Sequence, residues 1–175
     1  MKILSIAIAY LLVTPFAQAN ENKLDEPYFY YADLAVNSTQ QLPQLNLSSI
    51  NVDLLPEFNL GIGKKYPLGE NWDLVGTLSV NYQFANFDTL ESGDVRINGK
   101  YQSYGVLASG KVLYTGFSDS VSPYIQLDII AAENQYKFDN NNFKKHGLDM
   151  KAIAGLEFSL DKNMSASIGF GYTAD

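Results

Sequence analysis

Seven charged side chains stand out because each occupies a polar position within a segment that alternates apolar and polar residues. They are Asp33, Glu57, Asp73, Lys111, Asp128, Lys151 and Glu157. Carboxylates and ammonium groups on one face of a sheet can form ion pairs or line a path for ions. These seven come from six different segments, so we expect a shared polar network in the lumen. A narrow lumen favours a salt-bridged plug over an ion path.

His146 is the single histidine and follows Lys144 and Lys145. A lipid-modifying enzyme would need such a histidine beside a serine nucleophile and an acid. No spaced serine motif accompanies His146, so we predict that the protein is not an enzyme, and a lipid-modifying activity stays as an alternative. A metal ion would need a second histidine or a cysteine to share it, so we expect neither a metal site nor another cofactor.

Three lysines, Lys137, Lys144 and Lys145, lie in a polar stretch near this histidine. Ammonium groups just above a bilayer can meet the phosphates of lipopolysaccharide. The alternative is an ordinary solvated loop. Lipopolysaccharide is therefore one expected partner.

The overall charge excludes other partners. The 175 residues carry a net charge of −7 with only 12 Lys and Arg, which leaves no broad cationic surface for a phosphate backbone. Nucleic acid is therefore not an expected partner. The absence of cysteine from the sequence excludes a disulfide framework and a thiolate metal site.

The first residues have the pattern of an export signal. Lys2 precedes an apolar run over residues 3–13, and Ala17-Gln18-Ala19 places small residues where a signal peptidase reads. The alternative is a membrane helix, but eleven residues rise only about 16 Å, roughly half the hydrocarbon thickness. We predict a signal peptide at residues 1–19, a short periplasmic segment at 20–27 and a barrel domain at 28–175.

A period of two runs through most of the remaining chain. In residues 72–84 the even positions are mainly apolar and the odd positions mainly polar, which is the pattern of a strand. The same pattern recurs at residues 104–114, 148–160 and 164–172, and more weakly at 28–36, 58–66 and 123–138. These segments predict an all-β fold with seven strands.

The connections between these segments alternate in length. Short ones fall at residues 67–71, 115–122 and 161–163, and long polar ones at 37–55, 88–100 and 134–147. Short turns on one side and long loops on the other are typical of an antiparallel up-and-down transmembrane barrel. The first long loop would be shorter if Ile50, Val52 and Leu54 continue the next strand, with Pro56 at a bulge or an edge.

Alternation alone permits two assignments of the faces. A soluble, lipocalin-like periplasmic barrel would point its apolar face inward around an apolar ligand, whereas a membrane barrel would point it toward lipid. The polar positions here are mostly small or uncharged, and aromatic residues cluster at the strand ends in two predicted girdles, which favours the membrane barrel. The girdle residues are Tyr66, Trp72, Tyr114 and Phe158 near the short turns, and Tyr82, Phe84, Tyr104, Phe170 and Tyr172 towards the long loops.

Three segments carry a resemblance to a known family. They are Tyr28-Phe29-Tyr30-Tyr31-Ala32-Asp33-Leu34, Val121-Ser122-Pro123-Tyr124-Ile125 and Ile168-Gly169-Phe170-Gly171-Tyr172. With them the chain resembles the small Gram-negative outer-membrane barrels of the opacity-type, outer-membrane-protein-A-like family. This resemblance implies an eight-stranded barrel with both termini in the periplasm. Only seven strands are evident, so a closing strand is expected to be missing, to come from residues 40–55, or to come from a second chain.

The resemblance also implies a function. We expect an integral outer-membrane protein with a structural, adhesive or surface-interaction role through its extracellular loops, and not a large open pore. Its partners would be outer-membrane lipid, lipopolysaccharide and an extracellular protein or surface ligand. The oligomeric state is left open.

Overall fold

The structure is a computed structural model that describes residues 28–39, 50–91, 95–138, 141–161 and 164–174. The predicted signal peptide, the segment at residues 20–27 and most of the first long loop lie outside these residues. The strands are β1 (Phe29–Thr39), β2 (Ile50–Pro67), β3 (Trp72–Glu91), β4 (Val95–Tyr114), β5 (Val121–Phe138), β6 (Asn141–Asp161) and β7 (Met164–Ala174).

The seven strands form one sheet in sequence order, and every neighbouring pair is antiparallel. The sheet curls into a half-barrel, with one concave and one convex face. The prediction of an all-β antiparallel meander is confirmed. No helix in the described part of the chain is long and apolar enough to cross a membrane.

Two of the expected long loops are largely strand. β3 pairs with β4 without interruption from Trp72 opposite Tyr114 to Glu91 opposite Val95, so residues 88–91 and 95–100 belong to the ladder. β5 and β6 likewise pair as far as Phe138 opposite Asn141. Each added antiparallel pair satisfies backbone N–H and C=O groups, so the hairpins extend although their side chains become polar.

Two of the three predicted short turns agree with the sequence-based expectation, and the third, at residues 161–163, lies largely outside the described residues. After β2 the chain reverses over residues 68–71, where the backbone N–H of Leu68 donates to the carbonyl of Trp72 at 2.7 Å. Gly69 has φ of +136°, a conformation that residues with a Cβ rarely adopt. The turn before β5 spans residues 115–120.

β2 begins at Ile50, so the first connection is shorter than residues 37–55. The pairing of β2 with β3 shifts register between Asn51 and Glu57, an irregular stretch that contains Pro56. A proline cannot donate to the ladder, which accounts for an irregularity at this position.

Burial alternates along each strand and distinguishes the two faces. The convex face carries exposed apolar side chains on all seven strands, which we call the apolar belt. Its members are Leu34, Leu60, Ile62, Leu78, Val80, Val106, Val112, Ile125, Leu127, Ile129, Leu148, Met150, Leu156 and Ile168.

The concave face is more apolar than the sequence led us to expect. One buried cluster joins Ala35, Val75, Leu113, Tyr124 and Ile153, with Phe29 packed against it. A second cluster joins Leu107, Ile130 and Ala132. Apolar side chains therefore share this face with the polar ones and fill part of its volume.

Candidate functional site

Glu57 lies at the centre of a buried polar cluster on the concave face. Its side chain is 2% exposed and pairs with Lys151, which lies on the non-neighbouring strand β6. Its carboxylate also accepts hydrogen bonds from Asn81 at 2.9 Å, and from Asn59 and Gln83 at 3.1 Å each. A buried carboxylate is stable when its lone pairs are satisfied in this way.

Strand register positions these amides. Glu57 pairs with Gln83 and Asn59 pairs with Asn81 across the β2–β3 ladder. Residues directly opposite each other share a face, so all four side chains point to the concave side. Asn81 also donates to the side-chain oxygen of Asn59 at 2.7 Å, which joins the amides into one network.

A second ion pair lies elsewhere on the concave face. Lys111 of β4 pairs with Glu157 of β6, and both side chains are largely buried. The Lys111 ammonium lies 5.1 Å from the ring centroid of Tyr124, within range of a cation–π interaction. Lys111 is therefore held by a carboxylate and an aromatic ring.

Asp33 and Asp128 line a small cavity on this face. Asp33 accepts a hydrogen bond from Asn59 at 3.2 Å, and Asp128 accepts one from Gln126 at 2.9 Å. The cavity measures about 40 Å³, and side chains from β1, β3, β4, β5 and β7 contribute to its lining. That volume holds about three water molecules.

Asp73 lies apart from the other six predicted lumen charges. It pairs with Lys65 at 3.3 Å, and the lysine side chain is 46% exposed. The structure thus brings Glu57 together with Lys151 and Lys111 with Glu157. It connects Asp33 to the Glu57 cluster through Asn59, and it leaves Asp73 near the short turn that follows β2.

The three predicted lipopolysaccharide contacts divide between the two faces. Lys144 pairs with Glu133 at 2.8 Å, and Lys137 shares the convex face with Glu133. Lys145 lies directly opposite buried Asn134, so it belongs to the concave side of the hairpin. The three ammonium groups therefore do not form one surface.

Glu133 lies just beyond the apolar belt on the convex face. Lys144 and Gln135 each donate a hydrogen bond at 2.8 Å to the same oxygen of the Glu133 carboxylate. Each of these donors stabilises the charged form. The polar part of the convex face thus begins with an ionised, hydrogen-bonded carboxylate.

The predicted aromatic girdles lie on the convex face. Trp72 and Tyr114 are in contact near the short turns, with ring centroids 4.8 Å apart. Towards the long hairpins the ring centroid of Tyr82 lies 5.0 Å from that of Tyr104 and 5.7 Å from that of Phe84. Phe84 also stacks on Phe58. Of the four other members, Tyr66, Phe170 and Tyr172 are exposed and Phe158 is half-buried.

His146 lies on the convex face directly opposite Glu133. Its side chain is exposed. The part of the chain that the structure describes contains no group of three or more His, Cys, Asp or Glu placed to hold a metal ion.

Sequence reasoning missed the amides around Glu57 and the ring of Tyr124. Asn59, Asn81 and Gln83 have the same strand parity as Glu57 on two adjacent segments, so parity could have identified them. Tyr124 shares its strand parity with Asp128 and lies diagonally across the β4–β5 ladder from Lys111, so the same parity rule could have placed its ring on the concave face.

Comparison with models of known protein families and with curated proteins gave no significant match. The arrangement of side chains on the two faces therefore carries the assignment of function.

Proposed function

We propose that the protein is an integral outer-membrane barrel protein of a Gram-negative bacterium, with a structural, adhesive or surface-interaction role and no large open pore. The apolar belt is the observation that carries this proposal. Large apolar side chains on all seven strands face outward in a continuous band. Soluble monomers rarely expose a contiguous apolar surface of this extent, whereas lipid-facing strands require it.

The side chains on the concave face also support an integral membrane barrel. Ionised groups and amides that a soluble barrel would expose to water are here turned inward and paired, as in the Glu57 cluster. A soluble barrel for an apolar ligand would instead need an inner cavity of about 300 Å³ or more. The cavity on the concave face beside Asp33 and Asp128 measures about 40 Å³, which favours a plugged interior. A larger pocket of about 630 Å³ lies among exposed side chains of the convex face, including Leu60, Val80 and Tyr104.

Closure of the sheet is part of the proposal. Backbone groups at an open sheet edge are not tolerated in hydrocarbon, so β1 and β7 need a partner there. One further strand, antiparallel to both edges, would complete an eight-stranded up-and-down barrel. An eight-stranded barrel encloses room only for side chains, in agreement with the filled concave face.

The surface role is assigned to the long hairpins. β3 with β4 and β5 with β6 extend as ladders well past the apolar belt on the side opposite the short turns. In the proposed orientation these hairpins face the outside of the cell and the short turns face the periplasm. Any extracellular protein or surface ligand would meet the hairpins first.

Membrane fractionation with epitope tags tests this function. We expect the protein in the outer-membrane fraction, where salt and alkaline washes leave it in place and detergent releases it. A tag at residues 92–94 should bind antibody on intact cells, and a matched tag in the 68–71 turn should bind only after permeabilisation. Release of the mature protein into salt buffer without detergent would contradict membrane insertion and favour the soluble alternative.

A further inference from the structure

A pair of lysines lies on the convex face beyond the apolar belt. Lys100 of β4 is directly opposite Lys137 of β5 in the antiparallel ladder. Both side chains are exposed, and both share strand parity with the belt residues of their own strands. We call these two residues the lysine pair.

Between the lysine pair and the apolar belt, the side chains on the convex face become apolar over three rungs of the β4–β5 ladder. The next rung on the same face places Gln102 opposite Gln135, and the rung after it places Tyr104 opposite Glu133. The following rung, Val106 opposite Ala131, belongs to the apolar surface. In the proposed orientation the pair therefore lies above the aromatic level, and its long side chains can reach back towards the headgroups.

The lysine pair brings two like charges together on adjacent strands. Like charges directly opposite each other destabilise a sheet, and the chain as a whole carries a net charge of −7. Neither ammonium forms an ion pair with any carboxylate whose position the structure describes. Glu133 does not relieve the pair, because it is engaged by Lys144 at 2.8 Å.

We propose that the lysine pair binds the phosphate group of a phosphorylated membrane lipid, such as lipopolysaccharide, at the outer edge of the bilayer. This inference rests on the proposed function, because the bilayer brings the phosphate to this height. Two ammonium groups on adjacent strands can both approach one phosphate that carries close to two charges. Lys144 contributes less because Glu133 neutralises it, and Lys145 does not contribute because it lies on the opposite face.

Native mass spectrometry of the full-length protein, recovered in detergent from phosphatidylcholine vesicles, tests the proposal. The vesicles contain either lipid A with both phosphates or the same lipid after dephosphorylation, and retained lipid is measured over a concentration series. Each lysine lost near an anionic surface should raise the Kd for phosphorylated lipid about fivefold, so Lys100→Gln with Lys137→Gln should raise it about 25-fold. Dephosphorylated lipid A should bind weakly to every variant.

Charge-matched control variants distinguish binding at the lysine pair from general electrostatic attraction between the protein and anionic lipid. Lys145→Gln with Lys64→Gln removes the same charge from the opposite face of the hairpin and from the short-turn end, and should leave the Kd unchanged. Equal losses in both double variants would overturn the proposal. A titration of the wild-type protein with inorganic phosphate should show much weaker binding, and equal affinity would show that the site takes free phosphate rather than a lipid.

Flotation of the same vesicles distinguishes failure of this inference from failure of the proposed function. Flotation of the wild type with pure phosphatidylcholine vesicles supports membrane insertion. If the wild type floats and both double variants bind phosphorylated lipid with the wild-type Kd, the lysine pair is not the site, but membrane insertion is still supported. If the wild type does not float, insertion is wrong and the proposal falls with it.

Discussion

Lys151 donates a hydrogen bond to Glu57 across the concave face, although the two residues are 94 positions apart in the sequence and lie on strands that are not neighbours. Ladder hydrogen bonds join each strand only to its neighbours. This ion pair instead connects β6 to β2 and spans the curl of the sheet. Its integrity and the curvature of the half-barrel therefore depend on each other.

Removal of the Lys151 ammonium group should destabilise the fold strongly. Lys151→Met leaves the Glu57 carboxylate buried without its charged partner, and we expect a loss of about 3–5 kcal/mol in the free energy of unfolding, measured in urea with lipid vesicles. Lys65→Met breaks the exposed pair with Asp73 and should cost about 1 kcal/mol or less. Glu57→Gln combined with Lys151→Met should recover much of the loss. Equal effects of the two single substitutions would contradict a buried ion pair.

A methyl group at Gly155 should clash with the backbone of β7 and with Tyr124. A Cβ at Gly155 would lie closest to the backbone carbonyl oxygen of Ile168, and 2.7 Å from both the Cα of Gly169 and Cζ of Tyr124, closer than real Cβ contacts. Gly155→Ala should therefore lower the free energy of unfolding by about 1–3 kcal/mol. Gly76→Ala and Gly110→Ala are matched controls, because no atom lies within 4 Å of either added Cβ. Those two should be neutral or slightly stabilising in the same urea titration, and a similar loss at all three sites would refute the packing argument.

Single-cysteine labelling should distinguish the two faces. The sequence contains no native cysteine, so one introduced thiol can be labelled specifically. Leu78 is 53% exposed on the convex face, whereas its neighbour Ser79 is 4% exposed on the concave face. In vesicles, a spin label at Leu78→Cys should collide with lipid-soluble oxygen, and one at Ser79→Cys should be immobilised and protected. Bulk-water accessibility at Leu78→Cys would reverse the assignment of the faces.

The protein should not form a large steady pore in planar bilayers. Apolar clusters, two ion pairs and amide side chains occupy the concave face, and the cavity between Asp33 and Asp128 on that face measures about 40 Å³. We expect no sustained openings of porin size at moderate voltage. Steady large conductance from the purified wild type would contradict the plugged interior.

The number of strands and the face to which each side chain points could be predicted, because both depend on the local alternation of apolar and polar residues. Leu78 and Ser79 are neighbours in the sequence, and parity alone placed them on opposite faces. The partner of Lys151 could not be predicted, because any of several inward carboxylates was compatible with parity and the choice depends on how tightly the sheet curls. The length of the hairpins was also missed, because backbone pairing continues where side-chain alternation weakens, as between Lys100 and Lys137.

The continuous pairing of the long hairpins bears on how any ligand would be recognised. A partner that docks on them would meet backbone already held by ladder hydrogen bonds, so little conformational entropy would be lost on association. Preorganised surfaces of this kind permit rapid binding without a folding step. They also restrict sequence variation, since an insertion within β3 or β4 would break the ladder.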